Sequence, residues 1–155
     1  MRSEISILLK KKTAAAVANG YPWVYQSDIE MNSALELASP GTLASFCDAK
    51  GKVLGRGYFN SQSKLAGRML SFQAKEEIDE AFFYRRLEQA LKKREALFDV
   101  PYYRLVHSEG DFLPGLVIDR YGDHLTVQVT TAGMELRREA LAAALHSLVR
   151  PTSIL

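Results

Sequence analysis

The 155-residue chain has a single cysteine, Cys47, so no internal disulfide can form, and its three histidines are scattered without metal-ligand spacing. No apolar run approaches the roughly 20 residues that cross a bilayer. The opening MRSEISILLKKK lacks the order of a secretory signal, in which charges precede a longer apolar stretch. A soluble cytoplasmic protein without a membrane partner is therefore expected. The glycine-rich loop that seats a pyrophosphate at a helix N-terminus is also missing. Gly55-Arg56-Gly57 leads into Tyr58-Phe59-Asn60, which reads as a strand, so those glycines are expected to permit a bulge or close backbone packing. Cys47, in an alternating strand, reads as a small packing residue. What is present is a hydrophobic content of 47%, enough to exclude a disordered chain and to fill one good core or two small ones.

The net charge of +2 conceals an uneven distribution. Residues 1–75 carry ten Lys and Arg against five acids, whereas the remainder carries ten bases against thirteen acids. A basic module joined to a mildly acidic one fits a chain whose first part alone touches phosphate.

Along the chain, Ile5, Ile7, Leu8 and Leu9 predict a short strand, and the alanine-rich Lys10–Ala18 predicts a helix ended by Asn19-Gly20. Pro22 forbids continuation, so Tyr21-Pro22-Trp23-Val24-Tyr25 leaves the helix extended, with Trp23 assigned to the core and Tyr21 to the surface. Residues 40–72 read as a meander of short strands turned at Pro40-Gly41 and at Ala49-Lys50-Gly51-Lys52, forming a small β-barrel or curled sheet. Helical spacing of Phe83, Leu87, Ala90, Leu91, Leu97 and Phe98 predicts one helix from Lys75 to Phe98, acidic at its start and basic at its end. A strand at 102–107 then feeds a turn, strand, turn and strand over 108–128. In that hairpin Glu109, Asp111, Asp119 and Arg120 crowd around Pro114-Gly115 and Tyr121-Gly122-Asp123. A helix from Gly133 to Val149 is stopped by Pro151, and a strand begins at the end of the chain. The fold class is α+β, with domains expected at 1–74 and 75–155.

Three stretches carry a resemblance: GYPWVYQSDI (20–29), KGKVLGRGYFNSQSKLAGRML (50–70) and YRLVHSEGDFLPGLVIDRYGDHLTVQ (103–128). Together they resemble the N-terminal portion of bacterial SAM-dependent ribosomal-RNA methyltransferases of the large-subunit cytosine-C5 type. The resemblance implies a PUA-like RNA-binding β-barrel over 1–74 and a middle α+β domain over 75–155. It also implies that the chain is truncated before a Rossmann-like methyltransferase domain, so S-adenosylmethionine would belong to the parent enzyme and no cofactor to this chain. The departures are TAAAVAN where the family carries arginines before its PWV motif, and Phe112 where glycine is frequent.

The expected function is RNA binding and substrate docking for a methyltransferase, with ribosomal RNA as partner and a homodimer left open. The RNA-binding candidates are Lys10, Lys11, Lys12, Tyr21, Arg56, Lys64 and Arg68. Trp23, Asp111, Pro114, Gly115, Asp119, Arg120 and Gly122 are assigned to structure and docking, with Asp111 and Asp119 each expected to accept backbone N–H bonds from the neighbouring turn or to pair with an arginine such as Arg104 or Arg120. No catalytic or metal-binding residue is assigned. The alternatives are a stand-alone PUA-type RNA-binding or ribosome-associated protein, and an acid–base enzyme built on His107, Glu109, Asp111 and Asp119.

Overall fold

In the computed structural model, which describes residues 5–155, the apolar run at the start forms strand β1 (Ile5–Leu8) with Ile7 buried. Helix α1 (Lys11–Ala18) follows and buries Thr13, Ala14 and Val17, a stripe at helical spacing. Asn19 and Gly20 end it, with Gly20 at φ +91°, and Pro22 leads into β2 (Trp23–Tyr25). A 3-10 turn over 26–28 precedes the short helix α2 (Ser33–Glu36), whose Asn32 side chain accepts from the Leu35 amide at 3.0 Å. The meander is then β3 (Thr42–Cys47), β4 (Val53–Phe59) and β5 (Leu65–Ser71).

These five strands make one sheet in the order β1-β3-β4-β5-β2, with β1 parallel to β3 and the other pairs antiparallel. Beyond β2, Ile29 bridges Leu9, the Lys10 amide donates to the Asp28 carbonyl at 2.9 Å, and the Glu30 amide donates to the Leu8 carbonyl at 3.2 Å. The chain following one edge strand is thus stitched to the chain following the other, and the sheet curls around its own core. Ile7, Val17, Val24, Phe46 and Phe59 are fully buried there, and Cys47 is buried as expected. Burying a side chain the size of Phe46 contributes about 1.5–3 kcal/mol. Trp23 departs from expectation. Strand alternation sends Val24 into the core and leaves Trp23 half-buried on the opposite face, its ring edge-on to Tyr21 with centroids 6.2 Å apart.

The chain divides into two compact units between Glu76 and Glu77. In the second, helix α3 (Glu80–Glu95) starts five residues later than the charge pattern suggests. Asp79 has extended backbone and its carboxylate accepts from the Phe82 amide at 2.8 Å, so it caps the helix where the acidic run 76–80 offers several starts. Phe82, Phe83, Leu87 and Ala90 form the buried stripe. Leu97 and Phe98 lie past the helix and are exposed, and Phe98 stacks on Tyr103 at 5.5 Å.

Strands β6 (Tyr102–His107), β7 (Leu116–Tyr121) and β8 (His124–Val129) are antiparallel neighbours. The expected final helix is two helices, α4 (Ala132–Glu135) and α5 (Arg138–Val149). The break falls at Leu136-Arg137, where the Arg137 backbone leaves the helical region and its guanidinium donates to the Gly133 carbonyl at 2.6 Å. Arg150 adopts φ +49° before Pro151, and β9 (Ser153–Ile154) then pairs in parallel with β8. The second sheet is ordered β6-β7-β8-β9, and α3 packs with α5.

Candidate nucleic-acid interface

Lys10, Lys11 and Lys12 are adjacent in sequence, but the helix sends them in different directions. The Lys10 ammonium donates to the Ser27 carbonyl at 2.6 Å and so braces the corner where the sheet closes. Lys11 shares a helix face with Ala14, Ala15 and Ala18, the i, i+3, i+4 and i+7 positions. That face opposes the β3–β4 hairpin. Between them lies a groove of about 480 Å³ lined by Lys11, the three alanines, Asp48, Ala49, Lys50, Lys52 and Leu54. Lys50 and Lys52 are not among the residues that the sequence singles out for RNA binding; in it they stand as part of the turn Ala49-Lys50-Gly51-Lys52. The turn holds Gly51 at φ +80°, and the Asp48 carboxylate accepts from the backbone amides of Lys50 and Lys52 at 2.8 and 3.0 Å. The signal that could have found them is the pair of lysines flanking a turn glycine, set against a helix whose exposed face is alanine.

The other basic candidates lie on the sheet. Arg68 on β5 is opposite Trp23 on β2 and also opposite Tyr58 on β4, so these three side chains form one cross-strand row on the face away from Val24 and Phe59. Arg68 and Trp23 are half-buried and Tyr58 is buried. Tyr21 extends the aromatic row at the surface, 43% exposed. Arg56 is half-buried, and its guanidinium donates to the Glu76 carbonyl at 2.6 Å, which makes it a brace for the segment that ends the first unit. Lys64 is exposed in the β4–β5 turn, its carbonyl accepting from the Gln26 amide at 2.9 Å. Of the candidates, Lys11 thus lines the lysine groove on one side of α1, Tyr21 and Arg68 lie in the aromatic row on the sheet, and Lys12 and Lys64 are exposed outside both. Lys10 and Arg56 are engaged in bracing.

In the second unit the carboxylates of the hairpin motif have structural partners. Asp111, 5% exposed, is held by both terminal nitrogens of Arg94 at 2.8 and 2.6 Å and by the His107 amide at 2.7 Å. Its partner is Arg94, in the last turn of α3, and neither Arg104 nor Arg120. Arg94 also donates to the Arg104 carbonyl at 3.0 Å. Asp119 pairs with Arg104 at 2.9 and 3.2 Å across the β6–β7 ladder, and this hydrogen bond, with the carboxylate's charge, raises the Arg104 pKa. Arg120 donates to the Gly122 carbonyl and to the Tyr103 hydroxyl, bracing the turn where Gly122 sits at φ +63°. Gly115, after Pro114, is at φ +84°, and a Cβ there would lie 2.3 Å from the Thr131 hydroxyl oxygen. Asp111 is enclosed and Asp119 is paired, so two of the four residues of the acid–base alternative are committed to ion pairs and offer no accessible base. Among the described residues no cluster of metal-ligating side chains occurs, and no helix is long and apolar enough to cross a membrane.

Phe112 adopts φ +57° and ψ +31°, the left-handed region that glycine occupies at little cost. Its half-exposed ring lies against the Arg86 guanidinium, 5.5 Å from the ring centroid. Phe112→Gly relieves the strain and loses the ring, whereas Phe112→Ala loses the ring and keeps the strain. The glycine variant should therefore be the more stable by about 1 kcal/mol in urea denaturation. Equal stability of the two would show that the backbone there is unstrained.

Comparison with known proteins bears on the curled sheet first. Residues 7–72 match the PUA-like domain family. Over nearly its whole length the chain is also similar to ribosomal RNA large subunit methyltransferase I. It is 36% identical over 152 residues to the protein of Tolumonas auensis and 37% identical over 153 residues to that of Escherichia coli K12, covering 96% and 97% of this chain. It spans 38% of the length of each. A solved structure from Streptococcus mutans, described as a SAM-dependent methyltransferase, shares the fold with a TM-score of 0.77 at 20% identity, over 93% of this chain and 38% of that one. The lysine groove and the row of Tyr21, Trp23 and Arg68 both lie within residues 7–72, the stretch that matches the PUA-like domain family.

Proposed function

We propose that this chain is the RNA-binding and substrate-docking portion of a SAM-dependent ribosomal-RNA methyltransferase of the large-subunit cytosine-C5 type. The observation that carries the reading is a PUA-like domain holding the basic surface of the chain, within a sequence similar along nearly its whole length to ribosomal-RNA methyltransferases. Lys11 and Lys12 on α1, with Lys64 and Arg68 on the sheet side, supply positive charge for phosphate, and the exposed ring of Tyr21 offers a stacking surface for a base. Lys10 and Arg56 hold the shape of this surface through their carbonyl contacts. Asp111, Asp119, Arg120, Pro114, Gly115 and Gly122 set the hairpin of the second unit, a rigid element suited to docking a catalytic domain that carries the SAM site. SAM itself would be bound outside this chain.

Titration of the full chain with a large-subunit ribosomal-RNA fragment at several salt concentrations tests the reading. Affinity should fall steeply as salt rises, because lysine–phosphate contacts release counterions. Calorimetry with SAM on the same sample should show no isotherm. Failure to bind the RNA even at low salt would refute the RNA-binding role, and a micromolar SAM isotherm would refute the division of labour.

A further inference from the structure

Resting on the RNA-binding reading, we propose that the groove between α1 and the β3–β4 hairpin seats a stretch of RNA sugar-phosphate backbone, with Lys50 and Lys52 on the hairpin wall and Lys11 on the helix wall engaging successive phosphates. Long polar side chains normally cover a solvent-facing helix surface, whereas Ala15 and Ala18 are exposed in α1, and with Ala14 they leave a channel of about 480 Å³ along the helix. The channel's walls are the alanine methyls, Leu54 and the stems of the lysines, a lining able to accept the apolar face of a ribose.

The charges point the same way. Lys11, Lys50 and Lys52 are exposed, and none of their ammonium groups has an ion-pair or hydrogen-bond partner among the described residues. Lys10 differs, its ammonium being held by the Ser27 carbonyl. Asp48, the single acid lining the groove, fixes the hairpin through one carboxylate oxygen, which accepts from the backbone amides of Lys50 and Lys52, and against the three lysines it leaves the lining with a net positive charge. Gly51 at φ +80° makes the tight turn that sets the two lysines on either side of it. No aromatic ring, amide side chain or arginine lines the groove, so the recognised chemistry is the phosphodiester chain and the contact is expected to be largely independent of sequence.

The test compares binding of a short oligouridylate and of a ribosomal-RNA fragment to full-chain variants across a salt series. Lys50→Ala/Lys52→Ala should weaken both ligands about tenfold near physiological salt and flatten the log–log salt slope by about 1.4, two contacts at about 0.7 each for a single strand. Ala15→Gln/Ala18→Gln fills the channel without changing charge and should weaken binding comparably. Lys92→Ala/Lys93→Ala, which removes two exposed lysines of α3, should leave the slope unchanged. Unaltered melting temperatures establish that the surface variants fold. If the Lys50/Lys52 variant binds with the parent's affinity and slope, or loses no more than the Lys92/Lys93 variant, the groove is not the phosphate track even though the chain binds RNA. If the unaltered chain binds neither ligand, the RNA-binding reading itself falls.

Discussion

Asp111→Ala should destabilise the second unit by about 3–5 kcal/mol, because it strips the partner from a guanidinium that stays enclosed. The Arg94 side chain is only 16% exposed and that of Asp111 only 3%. The substitution leaves two guanidinium nitrogens and the His107 amide without the oxygens they donate to. Arg94 further ties the end of α3 to the Arg104 carbonyl on β6, so the loss reaches from the helix to the sheet. Arg94→Met alone should cost a similar amount, while Arg94→Met/Asp111→Leu should recover part of it, since a buried pair replaced by apolar groups leaves nothing unpaired. Hydrogen exchange of the α3 and β6 amides would read the effect. A fully additive double variant would show that the two residues act independently. Asp119→Asn gives the contrast. Its partner Arg104 is 48% exposed, so water replaces the lost contact, and a change within about 1 kcal/mol is expected.

The difference between these two aspartates marks where sequence reasoning stopped. Glycine, proline and charge placement revealed the hairpin, the meander and the end of α1, because those are local signals: Gly122, Gly51 and Gly20 all have the positive φ their positions implied. Local signals do not say which of several arginines meets a buried carboxylate. Asp111 and Arg94 are 17 residues apart and meet only once α3 is laid beside β6. The same limit separated Lys11 from Lys50 and Lys52, joined only by a groove between a helix and a hairpin. Alternation places Tyr21, Trp23 and Tyr25 on one face but does not say which face meets the core, and Val24 is the residue that β2 buries. The later start of α3 and the break before α5 come from a cap at Asp79 and a backbone excursion at Arg137, choices among equally polar positions that periodicity does not rank.

Gly57→Ala should be comparably damaging to the first unit, costing about 3 kcal/mol from a single methyl group. A Cβ at Gly57 would lie 2.1 Å from the Arg68 carbonyl oxygen and 3.0 Å from the Met69 Cα, both backbone atoms with no rotamer to yield. β4 and β5 would have to part where Gly57 pairs with Met69 and Tyr58 with Arg68, next to the irregularity between Arg56 and Gly57. Parting them would shift Arg68 away from Trp23 on β2, so lost stability and a disordered aromatic row should appear together. Trp23 is the chain's single tryptophan, and its fluorescence reports the unfolding of this unit alone. In urea the Trp23 transition should move to lower denaturant, and Tyr21 and Arg68 should contribute less to RNA affinity at temperatures where the unit remains folded. Gly51→Ala supplies the control: its φ of +80° imposes strain, but no atom lies within 4 Å of the added methyl, and the expected loss is about 1 kcal/mol. If Gly57→Ala cost no more than Gly51→Ala, the close approach of β4 and β5 would not be what requires glycine at position 57.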